Sequence, residues 1–215
     1  MCKEPLIKMP MKIKSNQGFT ILELLVVLTI ASILLGIAIP SFQSTVKRNS
    51  VQSHQNDLSS MVAIARSEAV GRSEVVTICG SATLTSCSNS SDWSTGWIVF
   101  VDDGVGGGTA SDGIRNGTEE IVKVYKYQGT NSLVVKDSAG NGFNAISFNS
   151  RGAVVQGLKA TLRICDGSAD VNYARAFLLE KTGRVIRSFD RFDSTNSLGA
   201  DGIYEDVNGN NLNCS

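Results

Sequence analysis

Histidine occurs once in these 215 residues, at position 54. A lone imidazole has no second one beside which to hold zinc. His54 is also far in sequence from every cysteine, so no Cys–His nucleophile is indicated. Charge of one sign is lacking too. Twenty basic residues balance 20 acidic ones, so the chain as a whole carries no electrostatic footprint for nucleic acid. Proline is scarce, at three residues against 21 glycines, and with many Ser and Asn this suggests a loop-rich β domain. The remaining carboxylates are scattered through predicted loops, and nothing points to an enzyme or a cofactor. Hydrophobic content of 42% and charged content of 19% are ordinary for one globular domain with a sizeable core.

What is present is unevenly placed. Residues 1–18 carry Lys3, Lys8, Lys12 and Lys14 against Glu4, a net of +3. Without them the chain has 16 basic and 19 acidic residues. An apolar run follows, and no charge interrupts the 23 residues between Glu23 and Lys47. At about 1.5 Å per helical residue that run spans a hydrocarbon core of roughly 30 Å. The basic flank before it places the N-terminus in the cytoplasm.

An ordinary secretory signal is cut after its apolar region. Here the small residue, Gly18, precedes it, so cleavage there would keep the apolar helix in the mature chain. Glu23 is the informative residue. A carboxylate at the edge of a span is costly and calls for a partner, yet no Lys or Arg lies within helical reach on the mature side. A cut before Phe19 would create an α-amine, which a neighbouring chain shifted along the axis could present to Glu23. The bland alternative is a Glu23 resting in the headgroup region.

The stretch Gly18-Phe19-Thr20-Ile21-Leu22-Glu23-Leu24-Leu25-Val26-Val27 resembles the leader junction of type IV prepilins and type II secretion pseudopilins, and Pro40 falls where their helices commonly carry a proline. The resemblance implies cleavage between Gly18 and Phe19 by prepilin peptidase, N-methylation of Phe19, and assembly through Glu23.

Beyond Pro40, Val51, Leu58, Met61, Val62, Ala65 and Ala69 recur at three-to-four-residue steps, an amphipathic pattern. One helix is expected from Phe19 to Gly71, bent or locally opened at Pro40 and stopped at Gly71. From Glu74 the period becomes two. Strands are expected at Val75–Cys79, Gly96–Val101, Ile121–Tyr127, Ser132–Val135, Ala145–Asn149, Ala160–Cys165, Ala174–Leu179 and Gly183–Ser188. The fold class is therefore α+β: a long N-terminal helix, transmembrane in its first half and amphipathic in its second, packed on an antiparallel β-sheet domain. The expected organisation is a leader over 1–18, an assembly helix over 19–72 and a periplasmic domain over 73–215.

Ala65-Arg66-Ser67-Glu68-Ala69, Trp93, Gly96-Trp97-Ile98-Val99-Phe100-Val101-Asp102, Phe148-Asn149-Ser150-Arg151-Gly152 and Lys181-Thr182-Gly183-Arg184-Val185 are similar to the GspH/FimT/FimU minor pilins and pseudopilins. That resemblance implies a structural subunit of a type IV pilus or a type II secretion pseudopilus. Its partners would be other pilins or pseudopilins, prepilin peptidase, the inner-membrane assembly platform and membrane lipid.

Cysteine stands at positions 2, 79, 87, 165 and 214. Loss of the leader removes Cys2 and leaves an even count, as suits an oxidising compartment. Four cysteines pair in three ways. Cys79–Cys87 would close a short loop and Cys165–Cys214 would tether the C-terminal tail, worth about 2.5 and 4 kcal/mol as upper values in the loop-entropy view.

Gly104, Gly106, Gly107 and Gly108 superficially suggest a phosphate loop, but no helix pattern follows to supply an N-terminus. A hairpin connection is expected instead. Asp102, Asp103, Asp112 and Glu119 bracket it, and Asp206-Val207-Asn208-Gly209-Asn210 alternates oxygen side chains. Neither meets the ligand pattern of a calcium loop, so solvated turns are expected and no metal is assigned.

Between Arg151 and Arg191 stand eight basic residues (Arg151, Lys159, Arg163, Arg175, Lys181, Arg184, Arg187, Arg191) and four acidic ones (Asp166, Asp170, Glu180, Asp190). Such a surplus can hold phosphates. DNA-binding members of the resembled family are associated with Gly-Arg-x-Arg, whereas this chain reads Gly183-Arg184-Val185-Ile186-Arg187. On a strand Arg184 and Arg187 would face opposite sides. Asp193, Asp201, Glu205 and Asp206 would also repel a polyanion, and DNA is not expected as a partner on these grounds.

Overall fold

A computed structural model describes residues 18–189 and 203–214. The leader up to Gln17, with Cys2 and its lysines, and Asp190, Arg191, Asp193 and Asp201 lie outside the described residues.

Helix α1 spans Ile21–Arg72. The chain divides at Ser44 and Thr45 into two compact units. In the first, no side chain from Gly18 to Gln43 is buried, and the helix continues through Pro40. Pro40 has no N–H for the Gly36 carbonyl, so one rung of the helical ladder is missing there.

The second unit carries the rest of α1 and eight strands: β1 (Val76–Gly80), β2 (Gly96–Val101), β3 (Ile121–Lys126), β4 (Ser132–Asp137), β5 (Ala145–Phe148), β6 (Ala160–Cys165), β7 (Arg175–Leu179) and β8 (Val185–Arg187). They form two four-stranded sheets, ordered β3-β2-β1-β5 and β4-β6-β7-β8, and every strand pairing is antiparallel.

The helix buries Val51, Leu58, Met61, Val62, Ala65 and Ala69 at the spacing of one face. Against that face pack Val76 and Ile78 of β1, Trp97 and Val99 of β2, Leu133 and Val135 of β4, Ile146 and Phe148 of β5, Leu162 and Ile164 of β6, and Phe177 and Leu179 of β7. The period of two in each strand sends alternate residues the other way. Behind β1 and β2 those residues, Cys79, Ile98 and Phe100, form a second cluster with Leu84 and Cys87, so these two strands are covered on both faces.

The helix does not stop at Gly71. It runs one residue further, and the left-handed residue that ends it is Ser73, with φ of 60°. The Arg72 guanidinium holds Glu68 at 2.7 Å and Glu120 at 2.9 Å, tying the helix end to the entry of β3. Gly80 is required where it stands, because a Cβ there would collide with the Trp93 indole.

Of the three pairings open to four cysteines, the structure contains Cys79–Cys87 and Cys165–Cys214. The second bond fastens the tail beside β6, where Leu212 packs on Ala174 and Ala176.

Candidate functional site

Thr20 opens the helix. Its hydroxyl accepts the Glu23 backbone N–H at 3.2 Å, and its carbonyl accepts Leu24 N–H, so Thr20 acts as an N-cap. Thr20-x-x-Glu23 has the sequence of a capping box, a signal that reading for the leader alone passes over. The reciprocal half of that box is not made. Among the described residues, nothing donates to the Glu23 carboxylate or pairs with it, although it stands in the first turn of the helix. Phe19 is 82% exposed, and a Cβ on Gly18 would meet no atom within 4 Å. Among the described residues, nothing covers the backbone at this junction.

The apolar surface that follows is extensive. Leu24, Leu25, Ile33, Leu34, Leu35, Ile37, Ile39 and Phe42 all stand exposed. The helix is long and apolar enough to cross a membrane, and none of its most apolar window is buried. In water such a surface is costly at about 25 cal/mol per Å². It requires lipid or other chains.

At the start of the second unit, Lys47 donates to Ser168 Oγ at 2.9 Å and lies 3.6 Å from Asp166. Burial alone would raise the Asp166 carboxyl, but donors from Ser168 and Asp170, together with Lys47, hold it below the ordinary carboxylate range. Lys47 and Arg48 both lie near the Tyr173 ring, at 5.3 and 5.9 Å.

The glycine loop between β2 and β3 is a hairpin connection with no helix in it, and Asp103 and Asp112 are exposed in its turns as expected, but Asp102 and Glu119 are not solvated. Asp102 accepts N–H groups of Ser111 at 2.7 Å and Gly113 at 2.9 Å, and the Thr77 hydroxyl at 2.8 Å. Glu119 accepts those of Gly104 and Asn116. Both are fully buried. A loop folded against the sheet must find acceptors for its own N–H groups, and these two carboxylates supply them. Asp206 does the same in its turn, accepting from Asn208 and Asn210. Among the described residues no three acidic, His or Cys side chains are grouped to hold a metal.

Arg184 and Arg187 do not follow strand alternation, because β8 begins only at Val185. Arg184 sits in the preceding turn and lines a shallow depression with Ser59, Ala63 and Arg66 of α1. Arg187 reaches the same helix, donating to Asn56 Oδ1 at 3.2 Å.

The profile of the family described as Type II transport protein GspH matches residues 54–183. The chain belongs to this family. A prokaryotic N-terminal methylation motif matches residues 13–39, across the Gly18–Phe19 junction and most of the apolar run. These two matches make the chain a member of the minor pilins and pseudopilins, structural subunits that assemble with other pilins. No curated protein sequence matches it. Among solved structures, two crystal forms of the type IV minor pilin FimU of Pseudomonas aeruginosa are similar, each at 20% identity. One covers 66% of this chain and 90% of its own, with a TM-score of 0.49. The other covers 64% and 92%, with a TM-score of 0.47.

Proposed function

We propose that this chain is a minor subunit of a type IV pilus, processed between Gly18 and Phe19, held in the inner membrane by residues 19–46, and built into the filament where it helps to initiate or cap assembly. The carrying observation is the Glu23 carboxylate, left without a partner among the described residues at the head of an unburied apolar helix. In a medium of low dielectric an unpaired carboxylate is costly. The new α-amine of Phe19 in a neighbouring chain is the cation such a site would take, and N-methylation would leave that amine charged. Leader residues 1–18 would then be a removable segment, residues 19–72 the assembly helix, and residues 73–215 the periplasmic domain.

The same chemistry serves a pseudopilus, and the description of the matched family as a type II transport protein favours that second reading. Deleting the gene separates the two. Loss of surface pili with exoprotein export intact supports the first; lost export with normal piliation supports the second. Glu23→Ala tests the shared step. Insertion and the β domain should survive while the chain is depleted from sheared filaments. Normal incorporation of Glu23→Ala would reduce Glu23 to an interfacial residue.

A further inference from the structure

We propose that the cleft between the outer face of the second sheet and the C-terminal tail binds a single carboxylate, presented by an acidic side chain of a partner peptide. The cleft has a volume of about 210 Å³ and is floored by Val134 and Lys136 of β4 and by Thr161 and Arg163 of β6. Leu133, Val135, Leu162 and Ile164 point into the core, so the four floor residues point away from it. Val134 is paired with Arg163 and Lys136 with Thr161. Lys136 and Arg163 are therefore diagonal neighbours on one face, a spacing of about 7–8 Å. Two like charges so placed repel unless an anion lies between them.

No described carboxylate pairs with either cation. Arg163 is half-buried, and one of its N–H groups reaches the Asn213 carbonyl; among the described residues the rest of its fork meets no other acceptor. Burial pushes its pKa down, as expected for a guanidinium facing only a neutral acceptor.

Two carboxylates stand at the rim, yet both are engaged elsewhere. Residues 137–141 and 206–210 repeat one pattern, D-x-x-G-N, and build the same turn. Asp137 Oδ1 accepts the Ala139 and Asn141 N–H groups at 2.8 and 2.9 Å. Asp206 Oδ1 accepts those of Asn208 and Asn210 at 2.8 and 3.0 Å. Asn208 Nδ2 donates to the Ser138 carbonyl at 2.7 Å and joins the two turns. The Cys165–Cys214 bond holds the tail in place, so the cleft is preformed.

Charge selects the occupant. The fork of Arg163 and the ammonium of Lys136 match a planar carboxylate. A dianionic phosphate would meet Asp137 and Asp206 as well, and the rim disfavours it. A cleft this small takes a side chain rather than a folded surface. This contact is independent of the N-terminal helix and adds a partner-facing site to the β domain.

The test is a ligand-observed NMR titration of the full chain in detergent micelles, with N-acetylglutamate methylamide, N-acetylglutamine methylamide and inorganic phosphate as probes. Saturable millimolar binding of the glutamate probe is expected, at least about fivefold tighter than either other probe. Lys136→Gln and Arg163→Lys should each weaken it by about fivefold or more; Arg163→Lys keeps the charge near the tail, and an unchanged amide spectrum would show each variant folded. Absence of saturable binding, equal binding of the glutamine probe, tighter binding of phosphate, or glutamate binding unchanged in either variant would each overturn the proposal.

Discussion

The His54 ring lies flat on the Tyr127 ring, with centroids 3.8 Å apart and planes 4° from parallel. Trp97 stacks near it at 5.3 Å, and Tyr125 stacks on Trp97 at 4.4 Å. His54 is buried and, among the described residues, neither of its ring nitrogens has a hydrogen-bond partner. Burial disfavours the imidazolium and lowers the pKa to about 4, against a smaller opposing pull from Asp57.

The sign of the resulting pH dependence follows directly. The unfolded chain takes up this proton near pH 6.5 and the folded chain only near pH 4. His54 therefore costs no stability above pH 6.5, and stability falls as the pH drops from there to about 4, by at most about 1.4 kcal/mol per pH unit. Urea unfolding of the full chain in micelles at pH 7.5, 5.5 and 4.5 would show the decline. His54→Phe, which keeps an aromatic ring in the stack, should flatten that part of the curve. An equal decline in the variant would assign the effect to carboxylates.

Asp102→Asn should destabilise the β domain by about 2 kcal/mol, since a hydrogen-bonded charged acceptor is lost and an amide donor faces the Ser111 and Gly113 N–H groups. Proteolysis should then cut first within residues 103–118, where the loop depends on that acceptor. An unchanged urea midpoint and cleavage pattern would show that Glu119 alone holds the loop.

The two disulfides should differ in worth. Cys165 and Cys214 close 49 residues of sequence and Cys79 and Cys87 only eight. Loop entropy gives about 4 against 2.5 kcal/mol. Paired Cys→Ser variants, compared by urea unfolding, should show the larger loss for the Cys165–Cys214 pair. The tail keeps other ties, including Arg175 over the Tyr204 ring at 4.1 Å, so part of its order should survive.

The local periods were the legible part of this sequence. Alternation in Gly96–Val101 and Ala160–Cys165 located β2 and β6 to the residue, and the three-to-four spacing from Val51 to Ala69 gave the buried helix face. The division into two sheets was not legible, because nothing local tells β4 to leave β3 and pair with β6. The helix end was misplaced by one residue because Ser73, without a glycine's freedom, took the left-handed conformation. Asp102 and Glu119 read as solvated turn residues, since a sequence does not show which backbone N–H groups a loop will bury. Glu23 was conspicuous for the opposite reason: its isolation in an apolar run is visible in one dimension.

The soluble face of this domain should bind DNA weakly or not at all at physiological salt. The surplus of cations between Arg151 and Arg187 would matter only if they shared a surface, and the fold divides them. Arg187 lies opposite Phe177 on the core side of the second sheet and reaches Asn56. Arg163 alternates with Leu162 and Ile164 and lies on the other side, beside Asp137 and Asp206. Lys159 is neutralised by Glu180 at 3.0 Å, Arg175 is stacked on Tyr204, and Arg66 gives its Nε–H to the Gly152 carbonyl at 3.0 Å. Beside α1 remain Arg184, Arg187 and the still-charged Arg66, with Arg151 and Lys181 exposed in the adjoining turns. These offer at most about five phosphate contacts, too few to hold a duplex against salt: each neutralised phosphate adds only about 0.9 to the slope of log affinity on log salt. The measurement is a gel-shift titration of the full chain in micelles, with Arg184→Gln and Arg187→Gln as controls. No shift at micromolar protein is expected. Micromolar binding that disappears in both variants would mean that these two arginines act together along the helix and would bring a DNA-uptake role to the front.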